Sequence, residues 1–403
     1  GYVLDGVVKP FDVQTKILKI RQPDGTLREE ALTVRSSVHG PVVWDRAGAV
    51  LALRVAGLDR PFALEQLWKM SRSPSLAEIR EQLARLQVPM VNLMLADADG
   101  HIEYVFNGFM PKRREGDAAF WAGVVPGDRS DLVWTELHPF AELPQLLDPA
   151  TGFLQNSNDP PWTSTSPAIL RPENYPAYTV RPGYTLRTNR SLELLHEARR
   201  WTLEDFIAHL QSTRLLLADR ILDDLLAAAD RVGTEPERRA AAVLRAWDRS
   251  AENDSRGTLL FEAFANRVLA GPREADFFAV AADPARPFET PRGIKDPVAA
   301  VRELGRVAAE VETRFGALDA PWGQYRRLRR GGVDLPANGA SGQLGSFRVM
   351  RFAGAAGAAT EAVVHGDTFV AAVELAKPTR ARVLLSYGNS TQPGSPHQSD
   401  QLG

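Results

Sequence analysis

Apolar and polar residues alternate along much of the first hundred positions, which is the period of a half-buried β-strand. Two alternating runs, residues 13–22 and 29–36, flank Pro23-Asp24-Gly25, and this combination predicts a β-hairpin. Two further runs, Met90–Ala96 and Ile102–Phe106, predict a second hairpin. The first part of the chain is therefore expected to be antiparallel sheet.

Helical spacing of apolar residues appears once in this first part, over Leu76–Leu86, where Ser75 is the predicted N-cap. From residue 185 to residue 316 helical spacing dominates, and Thr202 and Asp296 are predicted caps. The predicted helices of this section are Ser191–Ala198, Leu203–Leu210, Leu215–Ala229, Pro236–Trp247, Leu259–Leu269 and Pro297–Phe315. The sequence therefore predicts a helical section that lies between two strand-rich sections.

Strand patterns return towards the end of the chain, at Ser346–Phe352, Ala362–Val364, Phe369–Leu375 and Arg382–Tyr387. Strands followed by helices and strands again predict one α+β architecture. We expect residues 1–184 to form the strand-rich part of the core, residues 185–335 the helical section, and residues 336–403 the C-terminal strands that complete the core.

The region from Pro111 to Pro149 has little periodicity and many Pro, Gly and Trp residues, which predicts a long connection that follows the protein surface. Its aromatic residues argue against disorder. Phe120 and Trp121, together with Trp162, either line an apolar pocket or anchor these loops to the core. The sequence leaves both interpretations open.

The composition narrows the class of partner. The 48 Lys and Arg residues nearly balance the 50 Asp and Glu residues, so the formal net charge of −2 gives no overall field that favours nucleic acid or an anionic membrane. The absence of cysteine rules out disulfides, thiolate metal sites and a cysteine nucleophile in this chain. No stretch is long and apolar enough to span a bilayer. A small molecule or another protein chain is the expected partner.

The stretch Gly152–Trp162 holds three carboxamides, one acid and two prolines. The prolines make the backbone rigid, and an Asn on a rigid segment can aim its amide group at the oxygen that becomes negative during acyl transfer. In the alternative interpretation, Asn156, Asn158 and Asp159 only satisfy backbone groups of a turn. From these residues alone the turn is favoured.

Other patterns offer weaker signals. Asp97-Ala98-Asp99-Gly100 begins like a calcium loop but lacks the later ligands, so it is interpreted as a hairpin turn. His39 and His397 are interpreted as structural histidines, and the run Arg326–Arg330 is not interpreted as a binding patch, because arginine is abundant throughout. The sequence contains no nucleophile elbow, phosphate loop, dinucleotide fingerprint or His-Glu-x-x-His motif.

Several motifs occur in one order along the whole chain: His39-Gly40-Pro41, Asn92 followed by Ala96-Asp97-Ala98-Asp99-Gly100, Val125-Pro126-Gly127, Asn156-Ser157-Asn158, and the run from Tyr387-Gly388 to Asp400-Gln401. This order resembles that of the penicillin acylase family. The resemblance implies an N-terminal-nucleophile hydrolase, whose α+β fold is an αββα sandwich, here with an inserted helical section. The chain corresponds to part of the β subunit of such an enzyme.

Segments near the end resemble the acyl-homoserine lactone and aculeacin acylases most closely, namely Gly366-Asp367-Thr368-Phe369 through Glu374-Leu375, Ser386–Ser390 and Pro393–His397. This implies an amidohydrolase that cleaves N-acyl compounds, with N-acyl-homoserine lactones or other fatty-acyl amides as substrates. Two alternatives stay open. One is a β-lactam (penicillin or cephalosporin) acylase that prefers an aromatic acyl group, and the other is a non-catalytic fragment that keeps only the fold.

The resemblance also implies residue roles. In this family the hydroxyl of an N-terminal serine attacks the amide carbonyl, its own α-amine acts as base, and an asparagine helps to hold the oxyanion. By similarity this asparagine is Asn158, two positions after Asn156. The arginine that the family places nearby is Arg187, with Arg190 as the second choice. Trp162 is expected to contact the substrate.

One departure from the family pattern concerns the beginning of the chain. The residues from Gly1 to His39 match only the part of the β subunit that follows its early calcium-loop region. We therefore expect the nucleophilic serine, the backbone oxyanion donor and most ligands of a structural calcium to lie outside this chain. The expected partners are an α subunit, the remaining N-terminal part of the β subunit and a small N-acyl substrate, but not nucleic acid or membrane. The chemistry requires no cofactor, and the expected location is periplasmic or secreted.

Overall fold

The computed structural model describes residues 1–180, 183, 185–196, 200–270, 276–355 and 357–402. These residues form two compact units. The first comprises the described residues of Gly1–Leu154, Pro160–Ser164 and Ile169–Pro182, and the second those of Gln155–Asp159, Thr165–Ala168 and Gly183–Gly403. The three sections predicted from the sequence stay a prediction, and two of their boundary residues, 184 and 403, lie outside the described residues.

Antiparallel strands make up most of the first unit. They are β1 (Tyr2–Leu4), β2 (Val7–Lys9), β3 (Asp12–Arg21), β4 (Leu27–Ser37), β5 (Gly40–Arg46), β6 (Ala49–Ala52), β7 (Met90–Ala96), β8 (Ile102–Gly108) and β9 (Gln145–Leu147). The strand order is β1-β2, β3-β4-β5-β6 and β7-β8-β9. Both predicted hairpins are confirmed, since β3 pairs with β4 from Asp12 opposite Ser36 to Arg21 opposite Leu27, and β7 pairs with β8 along its whole length.

Three α-helices accompany these strands, namely α1 (Ala63–Met70), α2 (Leu76–Leu83) and α3 (Ala118–Ala122). The predicted cap of α2 is confirmed, because Ser75 Oγ accepts a hydrogen bond from the Glu78 N–H at 3.3 Å. The helix ends at Leu83, about one turn before the predicted end, and Leu86 has a left-handed backbone with φ +48°. α1 and α3 lie where the sequence pattern predicts no helix.

Two small apolar clusters stabilise the first unit. One contains Leu83, Leu86, Val105, Phe140 and Leu143. The other contains Tyr104, Leu146 and Leu170, against which Leu154 packs. The region 111–149, predicted as a connection, therefore contributes Phe140, Leu143 and Leu146 to the core as well as the strand β9.

The second unit is mainly helical in its first part, with α4 (Leu186–His196), α5 (Leu203–Leu210), α6 (Leu216–Val232), α7 (Glu235–Ala246), α8 (Thr258–Val268), α9 (Pro297–Phe315) and α10 (Trp322–Tyr325). Each predicted helix of this section coincides with one of these, although α4 begins five residues earlier than predicted and its predicted end, Ala198, lies outside the described residues. The caps Thr202 and Asp296 are confirmed, because they accept hydrogen bonds from the N–H groups of Asp205 and Ala299. No described helix is both long and apolar enough to cross a membrane.

The largest apolar cluster joins α6, α8 and α9. Leu217 and Leu225 of α6, Phe264 of α8 and Leu304 of α9 are all completely buried in it. Removing such side chains from water is the main favourable contribution to folding. Leu186, the first residue of α4, belongs to the same cluster, so the core fixes the beginning of α4.

The strands of the second unit are β10 (Phe278–Val280), β11 (Arg292–Ile294), β12 (Arg326–Arg330), β13 (Val333–Pro336), β14 (Met350–Ala353), β15 (Glu361–Gly366), β16 (Phe369–Glu374) and β17 (Arg380–Leu385). They form the sheets β10-β11, β13-β12-β15-β14 and β16-β17, in which only the pair β12 and β15 is parallel within the described residues. The four predicted C-terminal strands correspond to β14–β17, with shifted ends.

The arginine run lies in β12 and forms ion pairs. Arg326 is buried and pairs with Glu262 at 2.5 Å and with Glu361 at 3.4 Å. Arg327 pairs with Asp334 at 2.7 Å. These ion pairs are consistent with the prediction that the run is not a binding patch, which stays a prediction.

Candidate active site

Hydrogen bonds between residues of the segment Gln155–Asp159 hold it in a turn. The N–H of Ser157 donates to Asp159 Oδ2 at 3.0 Å, and the N–H of Asn158 donates to Asn156 Oδ1 at 2.9 Å. Asn156 Nδ2 donates in turn to the backbone oxygen of Asp159 at 3.2 Å. Asn158 itself has φ +67°, a left-handed conformation that Asn adopts more readily than most residues. The turn interpretation therefore holds for Asn156, whereas Asp159 also accepts hydrogen bonds from the side chains of Gln155 and Thr188.

The side chain of Asn158 takes no part in this turn. Its Oδ1 accepts a hydrogen bond from Arg187 Nη2 at 2.9 Å. A guanidinium has donors only, so the amide atom that faces Arg187 must be the oxygen, and the Nδ2 group must point the other way. Asn158 is exposed, and its Nδ2 has no hydrogen-bond partner among the described residues. It is a donor with a fixed orientation and no acceptor.

Arg187 stands in the first turn of α4 and is half-buried. The same Nη2 atom also donates to the backbone oxygen of Ser157, so its partners among the described residues are neutral oxygens. Gly342 leaves room for its stem, because a Cβ at that position would lie 3.3 Å from Arg187 Cδ. A positive charge that forms no ion pair with the described residues therefore lies next to the Asn158 carboxamide.

Arg190, the second choice for the family arginine, lies among other partners. Its guanidinium donates to Ser212 Oγ at 3.3 Å and to Glu193 Oε2 at 3.5 Å. Burial raises the pKa of Glu193, although the charges of Arg220 and Arg190 act in the opposite direction. Of the two arginines, Arg187 is the one that the structure brings to Asn158.

The charge of Arg187 also affects the pKa of one further carboxylate, that of Asp367. Although Asp367 as a residue is exposed, burial of its carboxyl raises its pKa, and the nearby charges of Arg348, Arg187 and His365 oppose this shift. Asp367 belongs to one of the terminal segments that carry the family resemblance. The electrostatic environment of the site therefore extends to the turn before β16.

Asn158 and Arg187 line a cleft of about 930 Å³ within the second unit. Much of its remaining wall is apolar, namely Leu186, Ala265, Leu269, Ala270, Phe278, Ala281, Ala282, Pro291 and Leu344. The rest consists of Gly183 and the polar residues Ser157, Asp159, Thr185, Asn189, Asn266 and Gln343. Small-molecule sites commonly combine such a wall with a few well-placed polar groups. The cleft can hold an apolar group next to an oriented amide donor.

The aromatic residues singled out in the sequence lie in the first unit. Trp162 is half-buried in a 3₁₀ turn, Pro161–Thr163, and does not line the cleft described above. Its contact with substrate stays a prediction. Trp121 Nε1 donates to the backbone oxygen of Glu115 at 2.8 Å, and its ring meets that of Phe120 edge-on at 5.4 Å. These contacts lie within the loop itself, so both interpretations of Trp121 stay open.

The two histidines of the motifs have structural contacts, as predicted. His39 Nε2 lies 2.8 Å from the backbone oxygen of Gly127, which joins the His-Gly-Pro and Val-Pro-Gly motifs. His397 Nδ1 lies 2.7 Å from Asp400 Oδ2, and the Gln401 N–H donates to the backbone oxygen of Tyr387 at 3.1 Å. Each of these contacts connects motifs that carry the family resemblance.

In the part of the chain that the structure describes, no three His, Cys, Asp or Glu side chains are grouped so that they could hold a metal ion. The Asp97 carboxylate instead accepts the N–H groups of Asp99 and His101, both at 3.0 Å. The interpretation of this sequence as a turn is confirmed. The structural calcium with ligands outside the chain stays a prediction.

Two residues next to Arg187 were not singled out by the sequence pattern. Thr188 is completely buried and its hydroxyl donates to Asp159 Oδ1. Asn189, also completely buried, donates through Nδ2 to the backbone oxygens of Pro287 at 2.5 Å and Thr290 at 2.8 Å. Both directly follow Arg187 in the sequence, but only their three-dimensional surroundings reveal their partners.

The model of the penicillin amidase family matches residues 1–403 of this sequence. The chain therefore belongs to the penicillin amidase family, and the resemblance found in its motifs is confirmed. Among curated relatives, it is 29% identical over 435 residues to the acyl-homoserine lactone acylase PvdQ of Pseudomonas fluorescens, a match that covers 99% of this chain. It is 28% identical over 459 residues to the aculeacin-A acylase of Actinoplanes utahensis, a match that covers the whole chain. The chain spans 55% of the length of each relative.

The fold is similar to that of a solved structure, the thermostable penicillin G acylase from Alcaligenes faecalis. The TM-score is 0.66 at 16% sequence identity, and the match covers 100% of this chain and 78% of the other. At this level of identity the likeness speaks for the fold. The predicted α+β fold of the N-terminal-nucleophile hydrolase type is confirmed.

Proposed function

We propose that this chain is part of an amidohydrolase of the acylase type, in which Asn158 supplies one of the two donors of the oxyanion hole. The observation that carries the proposal is the Asn158 amide. Its oxygen is held by Arg187 at 2.9 Å, and among the described residues its Nδ2 group has no acceptor, at a cleft that several apolar residues line. An unsatisfied donor with a fixed direction is what stabilises a developing oxyanion most effectively.

In the proposed mechanism a serine outside this chain attacks the carbonyl carbon of the substrate amide, with its own α-amine as base. The carbonyl oxygen becomes negative and accepts a hydrogen bond from Asn158 Nδ2. Arg187 polarises the carboxamide by donating to its oxygen, which strengthens the Nδ2 donor. The amine leaves, and water then releases the acid from the acyl-serine.

The proposed substrates are N-acyl-homoserine lactones or other fatty-acyl amides. Two observations support this class, namely the activities for which the curated relatives are named and the apolar residues that line the cleft beside Asn158. A β-lactam acylase that prefers an aromatic acyl group is the second candidate, supported by the fold shared with a penicillin G acylase. A non-catalytic fragment that keeps only the fold is the third.

The resemblance to a β-subunit portion supports the remaining proposals. The chain would act together with an α subunit and with the N-terminal part of the β subunit that carries the nucleophile. It would work in the periplasm or outside the cell and need no cofactor, while a structural calcium would be held by ligands elsewhere. Trp162 would contact the substrate in the complete enzyme.

Replacing Asn158 by Ala in the complete enzyme tests the proposal. We expect kcat to fall by about 10²- to 10³-fold, the usual effect of removing one oxyanion donor, while the enzyme stays folded. Asn174→Ala, which removes an exposed carboxamide from a 3₁₀ turn, is the control and should leave kcat unchanged. Normal turnover of a folded Asn158→Ala enzyme would show that Asn158 is not an oxyanion donor.

A further inference from the structure

Asp159 is a buried carboxylate held by neutral donors. It is 6% exposed, and its Oδ2 accepts from the Ser157 N–H at 3.0 Å and from Gln155 Nε2 at 3.4 Å. Its Oδ1 accepts from the hydroxyl of Thr188, and it forms no ion pair within the described residues. A buried charge without a counter-charge is costly unless it is hydrogen-bonded, so these donors hold the carboxylate and are in turn held by it.

Thr188 and Arg187, which lie on one turn of α4, both contact the segment Gln155–Asp159. Thr188 is completely buried, donates to Asp159 and accepts from the Thr185 N–H at 3.3 Å. Arg187 donates to Asn158 Oδ1 and to the backbone oxygen of Ser157. The start of α4 therefore contacts the segment Gln155–Asp159 at two separate points.

We propose that Asp159 and Thr188, here called the clamp, are positioning residues for Asn158. Both hydrogen bonds of Arg187 to the segment come from one atom, Nη2, so they decide which amide atom faces the guanidinium but do not restrain rotation about that atom. The second contact, between Thr188 and Asp159, removes this freedom and fixes the direction of Asn158 Nδ2. The inference rests on the proposed function, because a fixed direction matters only if Asn158 meets a reacting oxygen.

The test compares Thr188→Val, which keeps the shape of the side chain and removes its hydroxyl, with Thr188→Ser, which keeps the hydroxyl. In the complete enzyme we expect Thr188→Val to lower kcat by about 10- to 100-fold, because a donor misplaced by about 1 Å loses most of its effect. KM should change little, and Thr188→Ser should recover most of kcat. Normal kcat in folded Thr188→Val, or no recovery by Ser, would overturn the clamp.

A matched control separates positioning from stability. Thr258 is also completely buried, and its hydroxyl donates to the backbone oxygen of Ser250 at 2.8 Å. Thr258→Val removes a comparable hydrogen bond in the core of the same unit. It should lower resistance to urea as Thr188→Val does, yet leave kcat unchanged. Equal losses of kcat in both variants would show that Thr188 contributes only to the stability of the core and does not position Asn158.

The double variant gives the decisive readout. If the clamp acts through Asn158, adding Thr188→Val to Asn158→Ala should cause no further loss of kcat, whereas independent effects would multiply. Multiplying losses would overturn the proposal. Normal turnover of Asn158→Ala alone would instead overturn the proposed function, so the two failures are distinct. If Thr188→Val does not fold, Asp159→Asn, which keeps the shape but removes the charge of the acceptor, takes its place in the same cycle.

Discussion

Arg187 has only hydrogen-bond donors, so it can hold the oxygen of the Asn158 carboxamide and never the nitrogen. This makes the arginine responsible for the direction of the amide, in addition to any effect of its charge. The guanidinium meets two neutral oxygens, those of Ser157 and Asn158. A replacement that keeps a donor and the charge should therefore preserve part of the function.

We expect Arg187→Ala to lower kcat of the complete enzyme by about 10-fold or more, because the amide loses a charged donor and becomes free to rotate. Arg187→Lys should retain more activity than Arg187→Ala, since the ammonium can still reach one of the two oxygens. Arg190→Ala serves as the control, because Arg190 bonds Ser212 and Glu193. It should affect unfolding in urea more than kcat, and the reverse order of effects would favour Arg190 as the family arginine.

His101 and Asp148 form a pH-dependent pair in the first unit. His101 Nδ1 lies 2.7 Å from Asp148 Oδ2, and Asp148 Oδ1 accepts the Ile102 N–H at 2.9 Å. The hydrogen bond and the charge of Asp148 raise the pKa of His101 above its ordinary value of 6.5, and the hydrogen bond from His101 lowers the pKa of Asp148 below its ordinary value of 3.8. The histidine therefore contributes stability below its unfolded pKa and loses it as the pH rises through the folded value. The aspartate contributes above its unfolded pKa and loses that contribution as the pH falls.

His101→Gln should lower the free energy of unfolding more at about pH 5.5 than at about pH 8.5. Asp148 is charged at both values, whereas the stability that protonated His101 contributes is lost as the pH rises. Urea denaturation of the wild-type and variant proteins at both values measures the difference. Both side chains are largely exposed, so the effect should be modest and should weaken with added salt. An equal loss of stability at both pH values would show that the charge of His101 makes no contribution.

Sequence patterns alone do not reveal the candidate site. Asn158 and Arg187 are 29 positions apart, and local physics explains Asn158 equally well as a turn residue. The family resemblance identifies the pair, and the structure brings the two side chains into contact. Asp159 and Thr188 leave no signal in the sequence, because a buried threonine and a turn aspartate are common and only their mutual hydrogen bond distinguishes them.

The long helices follow from amphipathic spacing, because one face of each packs in the apolar core. α9, for example, has the predicted limits Pro297–Phe315. α1 escapes detection because it has only eight residues, Ala63–Met70, which is shorter than the stretch over which helical spacing becomes distinct. Strand β9, Gln145–Leu147, is too short to show alternation, and β12 is hidden by its charges, which tertiary ion pairs neutralise.

Asp296 caps α9, the longest helix of the large core, so its loss should be measurable in the whole unit. Asp296→Ala should lower the free energy of unfolding by about 1 kcal/mol, since it leaves an N–H of the first turn without its acceptor. Asp296→Asn keeps a capping oxygen and should cost much less. Urea denaturation measures both, and equal losses would show that the cap hydrogen bond is not the cause.

The whole molecule belongs to the penicillin amidase family across all of its 403 residues, yet it spans 55% of the length of the curated relatives. The fold and the contact between Asn158 and Arg187 are features of this chain, whereas the choice of acyl group stays a proposal. The near balance of 48 basic and 50 acidic residues offers no overall field that would select a charged substrate.

A series of N-acyl-homoserine lactones with lengthening acyl chains separates the proposed substrate classes. If the acyl chain is buried, each added methylene should strengthen binding by about 0.8 kcal/mol, which is roughly fourfold in kcat/KM until the site is full. Phenylacetyl amides serve as the comparison for the β-lactam acylase alternative. A flat response to chain length together with a preference for the aromatic acyl group would favour that alternative.

The free edge of β3 has a consequence for handling the protein. Within the described residues β3 is the outermost strand of its sheet, and its Val13 and Ile17 side chains are more than half exposed. Such an edge offers unpaired backbone groups and apolar side chains to any other extended chain, which is how sheets aggregate. Lys16 and Lys19 stand among these residues, where burying their charges opposes edge-to-edge association. Neutralising both lysines should make this strand a starting point for fibrous or amorphous precipitation, even where the second unit stays folded.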